Sequence, residues 1–203
     1  MNEELLGPLT SATESAVPVA KPLAWLRTGG IVLAGSAFVA VCAHIALPLY
    51  FTPVPLTLQT FAVLVLGLLL SPRLAAGTLA AYLAEGALGL PVFAPSPAVG
   101  GLAHLLGPTG GYLLVYPAAA ALISFLWRRT GRSRSYATAA LSAAAGDVVI
   151  LGSGALWLAV LTHAWGQAVL TLSIFPFLPG DALKIAAAAA VVTCYQRFRR
   201  VTN

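Results

Sequence analysis

Two fully charged groups stand three residues apart in an otherwise uncharged run: Asp181 and Lys184, within Pro179-Gly180-Asp181-Ala182-Leu183-Lys184. Pro-Gly breaks the preceding chain, so a helix is expected to start at about Asp181. Spacing of i,i+3 puts both side chains on one helix face. Such a pair has several uses. Asp181 can act as an N-cap, accepting from free backbone N–H groups. Lys184 can bridge to Asp181 or extend its ammonium toward the membrane surface. The two together can also hold a polar solute, the carboxylate accepting N–H bonds and the ammonium donating to a carbonyl.

Further polar groups lie in apolar surroundings. Glu85 and Asp147 each sit inside a long hydrophobic stretch. Either can be satisfied by a neighbouring backbone group or hydroxyl, or can face a wet interior, which is where ionisable residues in membrane helices usually point. Thr57 and Gln59, just after Pro53 and Pro55, donate and accept hydrogen bonds. Their uses are helix capping, a bond across the bundle, or contact with a solute. Gly107-Pro108-Thr109-Gly110-Gly111-Tyr112 opens another apolar run. Small residues such as Gly111 let backbone approach a ligand closely. Tyr112 offers a ring face and a hydroxyl, suited to a pocket or to a membrane interface. His44, His104 and His163 show no metal-ligand spacing. Ser153, in Gly152-Ser153-Gly154, has no histidine partner at its depth, so no catalytic set is present. No glycine-rich phosphate loop followed by Lys-Ser/Thr occurs, so the chain is not itself an ATPase.

The elements that carry these groups follow from where charge is missing. Of 203 residues, 59% are hydrophobic and 8% charged, against roughly 25% charged in soluble domains. This predicts an integral, all-α membrane protein. No Lys, Arg, Asp or Glu falls between Arg27 and Arg73. Only Glu85 falls between Arg73 and Arg128, and only Asp147, Asp181 and Lys184 between Arg134 and Arg197. A spanning helix takes about 20 apolar residues, so each stretch holds two. The predicted spans are 30–47, 56–71, 73–90, 109–127, 136–162 and 181–197.

Lys21 and Arg27 precede the first span. Arg73, then Arg128, Arg129, Arg132 and Arg134, lie in alternate connections, and Arg197, Arg199 and Arg200 follow the last. The connections near 48–56, 91–108 and 163–180 carry no Lys or Arg. By the positive-inside rule both termini are cytoplasmic. The formal charge of +5 therefore reflects membrane flanks rather than nucleic-acid binding. Residues 1–28 read as a cytoplasmic tail and 29–203 as one six-helix domain. Every polar feature above except Asp147 lies toward the outer half, which favours a solute pocket open to the outside. Cys42 and Cys194, each in an apolar run, are not expected to pair.

Four segments carry a family resemblance: Phe51-Thr52-Pro53-Val54-Pro55-Leu56-Thr57-Leu58-Gln59-Thr60, Gly86-Ala87-Leu88-Gly89-Leu90-Pro91-Val92-Phe93, Gly107-Pro108-Thr109-Gly110-Gly111-Tyr112-Leu113 and Phe177-Leu178-Pro179-Gly180-Asp181-Ala182-Leu183-Lys184. In order and spacing the sequence resembles BioY, the biotin-specific S component of energy-coupling-factor (ECF) transporters, over about residues 30–196. The resemblance implies a six-helix S-component fold in a prokaryotic inner membrane, capturing biotin from outside. It implies as partners a transmembrane coupling subunit and two ATPase subunits, which consume the ATP. No cofactor is implied for the chain itself.

The resemblance carries ligand contact to Asp181 and Lys184, with Gln59, Thr57, Tyr112, Gly111 and Glu85 as further candidates. It carries the coupling-subunit surface to small residues of the first span: Ser36, Ala37, Ala40 and Ala43. Two features depart from the family. The segment Phe93-Ala94-Pro95-Ser96-Pro97-Ala98-Val99-Gly100-Gly101 replaces a more glycine-rich loop, and Glu85 and Asp147 replace apolar or neutral residues. The alternatives are an S component for another vitamin and a carrier acting alone, proton-coupled or facilitative.

Overall fold

A computed structural model describes residues 22–95, 100–131 and 134–201. Lys21 and the rest of tail residues 1–21, Arg132, and residues 96–99 of the proline loop lie outside the described residues. The elements, in order, are α1 (Pro22–His44), β1 (Ala46–Leu47), β2 (Leu56–Thr57), α2 (Gln59–Leu69), α3 (Pro72–Ala87), α4 (Leu102–Leu105), α5 (Gly110–Leu114), α6 (Tyr116–Arg129), α7 (Tyr136–Thr162), α8 (Gln167–Ser173) and α9 (Leu178–Val201). Three of them, α1, α7 and α9, contain stretches long and apolar enough to cross a membrane.

Each predicted span contains a helix, and the differences have local causes. Helix α1 starts at Pro22, not near residue 30, and takes in residues 22–28 of the expected tail. Proline fits the first turn, where its missing N–H is not needed. The ends of the first two spans are not helical. Ala46 and Leu47 pair antiparallel with Thr57 and Leu56 in a short hairpin, closed by the Leu58 N–H on the Ile45 carbonyl at 3.0 Å. The fourth span divides at Val115 into α5 and α6. Pro117 follows in the first turn of α6 and has no N–H for the carbonyl of Leu113, so the ladder stops there. Helices α4 and α8 occupy connections read from sequence as irregular.

The bundle has two ends. At one lie the β1–β2 hairpin, α4, α8 and the start of α9. The other carries the arginines: Arg128 Nε donates to Ser124 Oγ at 3.3 Å, and that hydroxyl donates to the Leu70 carbonyl at 2.6 Å, tying α6 to the α2–α3 turn. Two large buried apolar clusters fill most of the interior, with a small third one of Ala155, Ala159 and Val169 between α7 and α8. One centres on Tyr82, Tyr112, Tyr116 and Ile150 near the hairpin end; the other, around Trp127, Leu64, Ile123 and Val192, lies toward the arginine end.

Glycine sets how closely α7 approaches its neighbours. A Cβ at Gly154 would overlap the Tyr112 ring, and one at Gly111 would overlap Trp157. A Cβ at Gly146 would overlap Ile123 of α6. Polar contacts then lock the α5–α7 seam: Ser153 Oγ donates to the Gly111 carbonyl at 2.9 Å, and Trp157 Nε1 to the Gly107 carbonyl at 2.9 Å. Ser153 is thus a packing hydroxyl. Gly152 faces open space on the same helix. Gly154→Ala is predicted to lower unfolding free energy by about 1–3 kcal/mol through overpacking. Gly152→Ala should instead raise it, by up to about 1 kcal/mol, through helix propensity. Denaturant unfolding of the two variants in detergent micelles checks the contrast.

Candidate functional site

The first turn of α9 places the charged pair. The helix begins at Leu178 rather than at Asp181, because Pro179 fits that turn. The Asp181 N–H already donates to the Phe177 carbonyl at 2.8 Å. Asp181 is therefore not the cap. Asp181, 4% exposed, accepts from Lys184 Nζ at 2.9 Å, and Lys184 is itself 8% exposed. Position in the first turn adds the positive end of the helix dipole to the attraction on the carboxylate. One ammonium N–H is used by Asp181, which leaves two donors for other acceptors.

Both groups line an inner cavity of about 50 Å³ at the hairpin end, together with Thr57, Gln59, Thr60, His104, Thr109, Tyr112, Tyr116 and Asp147. A larger outer chamber of about 390 Å³ shares Pro55, Ala94, His104 and Thr109 with it. The inner cavity alone is far below the roughly 300–1,000 Å³ of a small-molecule site. A solute bigger than a few waters must therefore extend into the outer chamber or part the elements between them.

The walls are held by their own bonds. Gln59 Nε2 donates to the Tyr82 hydroxyl at 2.8 Å, and that hydroxyl donates to the Val92 carbonyl at 2.9 Å. This relay fixes the amide and pins the chain after α3. Phe93 packs over Gly86, where a Cβ would overlap its ring, and His104 stacks on Phe93 with centroids 5.0 Å apart. Burial holds the His104 imidazolium below the usual histidine range, which favours the neutral ring. The Tyr112 hydroxyl donates to the Ser173 carbonyl at 2.8 Å. Thr52 Oγ1 donates to the Leu172 carbonyl at 2.7 Å, tying the proline segment to α8.

Of the residues singled out from sequence, Asp181, Lys184, Gln59, Thr57 and Tyr112 meet at this cavity. Glu85 and Gly111 do not. Glu85 accepts a hydrogen bond from Ser36 Oγ across the α1–α3 contact, because that packing sets the hydroxyl opposite the carboxylate. Gly111 faces Trp157, so its missing side chain serves α5–α7 packing rather than a ligand. The small residues of α1 also divide. Ser36 (1% exposed) and Ala43 (0%) point into the bundle, whereas Ala37 is exposed and Ala40 half-buried. The outward stripe of α1 runs through Leu33, Ala34, Ala37 and Val41.

Sequence reasoning did not bring Thr60, Tyr116, His104 or Asp147 to this pocket. Helical spacing could have found Tyr116, four residues after Tyr112 within the predicted span 109–127. His104 was weighed only as a metal ligand. Among the described residues, no group of three or more His, Cys, Asp or Glu is placed to hold a metal ion.

Removing one partner of a buried pair strands the other charge. Lys184→Met is predicted to cost about 3–5 kcal/mol of unfolding free energy. Combining it with Asp181→Asn should restore most of that loss, since no buried charge is then left alone. Unfolding curves of the single and double variants in detergent check the coupling.

Comparisons with known proteins bear on what such a cavity serves. A model of the BioY family matches residues 15–201. The probable biotin transporter BioY of Pyrococcus horikoshii is 42% identical over 139 residues, 68% of this chain and 78% of that protein. The biotin transporter BioY of Thermotoga maritima is 35% identical over 156 residues, 77% of this chain and 88% of that one. A solved structure described as the S-component for biotin from an ECF-type ABC transporter superposes with a TM-score of 0.78 at 26% identity, covering 87% of this chain and 94% of the other. These relatives are transporters, not enzymes, and the fold described above is that of an S component embedded in a membrane. With sequence matches across most of the chain and a shared fold, the chain belongs to the BioY family.

Proposed function

We propose that this chain captures biotin from the outer side of a prokaryotic inner membrane and presents it for uptake as the S component of an ECF-type transporter. The observation that carries the reading is the buried Lys184–Asp181 pair facing one cavity with Gln59, in a chain of the BioY family. Biotin's ureido ring carries N–H and C=O groups on one edge. The N–H groups suit a carboxylate, and the C=O suits an ammonium with two donors to spare. The ring system would reach the pair as the elements around the inner cavity part, with the valerate chain in the outer chamber.

In this reading six segments cross the bilayer: α1, α2 and α3, α5 with α6, α7, and α9. Arginines cluster at the end away from the cavity, so the positive-inside rule puts both termini in the cytoplasm and the hairpin end outside. The chain is then multi-pass, with residues 1–21 on the cytoplasmic side. The chain supplies no ATPase loop, so concentrative uptake draws on two ATPase subunits and a transmembrane coupling subunit. The open stripe of α1, with Ala34 and Ala37 exposed, suits close approach of a coupling-subunit helix.

Calorimetric titration of biotin into the purified protein tests the assignment. The wild type should bind, and Asp181→Asn and Lys184→Ala should each weaken binding by more than about tenfold, or 1.4 kcal/mol. A folded wild-type protein that takes no biotin would rule the assignment out.

A further inference from the structure

Asp147 is used by nothing described so far. It lies mid-way along α7, is 4% exposed, and lines the inner cavity. Its Oδ1 is buried without a hydrogen-bond partner among the described residues. It is within electrostatic reach of Asp181 and Lys184 on α9 and of the Tyr116 hydroxyl on α6. The Lys184 ammonium nevertheless pairs with Asp181. A carboxylate oxygen left unpaired in an apolar bundle is costly. Such a group persists where something else supplies its donor.

The rotation of α7 aims the group inward. Asp147, Ile150 and Leu151 all line the cavity, and their i,i+3,i+4 spacing defines one helix face. Gly154, one turn further on, is the seat of the Tyr112 ring, and Gly146 lets α7 close onto Ile123 of α6. Both contacts fix α7 in this orientation. Turning Asp147 away would require breaking two seams.

We infer that Asp147 is a ligand-contacting, specificity-determining residue that accepts a ligand N–H through Oδ1, so that α7 and α9 present an acceptor–donor–acceptor set of Asp147, Lys184 and Asp181. Lys184 occupies one oxygen of Asp181, so that residue alone is a poor receptor for two N–H groups. A cyclic urea has donor, acceptor and donor along one edge, with its two N–H bonds diverging. Carboxylates on two different helices suit that divergence better than one carboxylate can. This inference rests on the biotin reading of the same cavity and adds to it a requirement for both ligand N–H groups.

The test compares biotin with an analogue methylated on its ureido nitrogens, against wild type, Asp147→Leu and Asp147→Asn, each checked for a folded state by thermal unfolding. Wild type should prefer biotin by more than about tenfold, the range of a hydrogen bond to a charged group. Asp147→Leu should lose part of that preference, the remainder resting on Asp181. Asp147→Asn, which keeps the size and one carbonyl acceptor, should bind biotin more weakly than wild type and serves if the leucine variant does not fold. A preference unchanged in Asp147→Leu, or biotin affinity unchanged in Asp147→Asn, would overturn the inference while leaving the biotin reading intact. Absence of biotin binding by wild type would remove both.

Discussion

An ammonium and a carboxylate held 2.9 Å apart inside an apolar bundle constrain everything near them. Neither group has bulk water to lean on, and the desolvation cost of the pair is met only when its remaining lone pairs and protons find partners. The first turn of α9 supplies part of this through the helix dipole. The rest must come from a polar enclosure, and the enclosure exists: Gln59, Thr57, Thr60, Tyr116 and Asp147 close around the pair. A cavity lined this way inside hydrophobic helices makes structural sense as a place where a polar solute completes the bonding.

The surrounding architecture keeps that enclosure small and stiff. Glycines at 111, 146 and 154 let α7 sit against α5 and α6 without side-chain spacers. Hydrogen bonds to backbone carbonyls then hold the irregular segments near the entrance: Tyr82 on Val92, Tyr112 on Ser173 and Thr52 on Leu172. Non-helical backbone at a membrane-embedded site is tolerated where it lines a cavity and has its polar groups satisfied. Here the hydroxyls do that work.

Much of this was legible in the residues alone. Long uncharged stretches located the helices, and α7 matches its predicted limits of 136–162. The i,i+3 spacing of Asp181 and Lys184 was enough to place them on one face. Other features depended on tertiary contact. Whether Glu85 turned to the pocket or to Ser36 was decided by how α1 packs on α3, which has no local signature. Gly111 reads from sequence as a point of close approach to a ligand, and only the packing of Trp157, distant in sequence, shows what its missing side chain accommodates. Pro117 was visible, yet its effect, a division of the fourth span at Val115, required knowing that the two halves continue to pack.

The central claim is that the solute sits against the Asp181–Lys184 pair and enters from the hairpin end. An experimentally determined structure of the protein saturated with biotin tests it most directly. The account predicts the ureido ring within hydrogen-bond distance of Lys184 Nζ and an Asp181 oxygen, with the valerate chain passing between Pro55 and His104 toward the outer chamber. Biotin bound elsewhere, or a ring turned so that its carboxylate meets Lys184 and its urea faces Pro53, would contradict it.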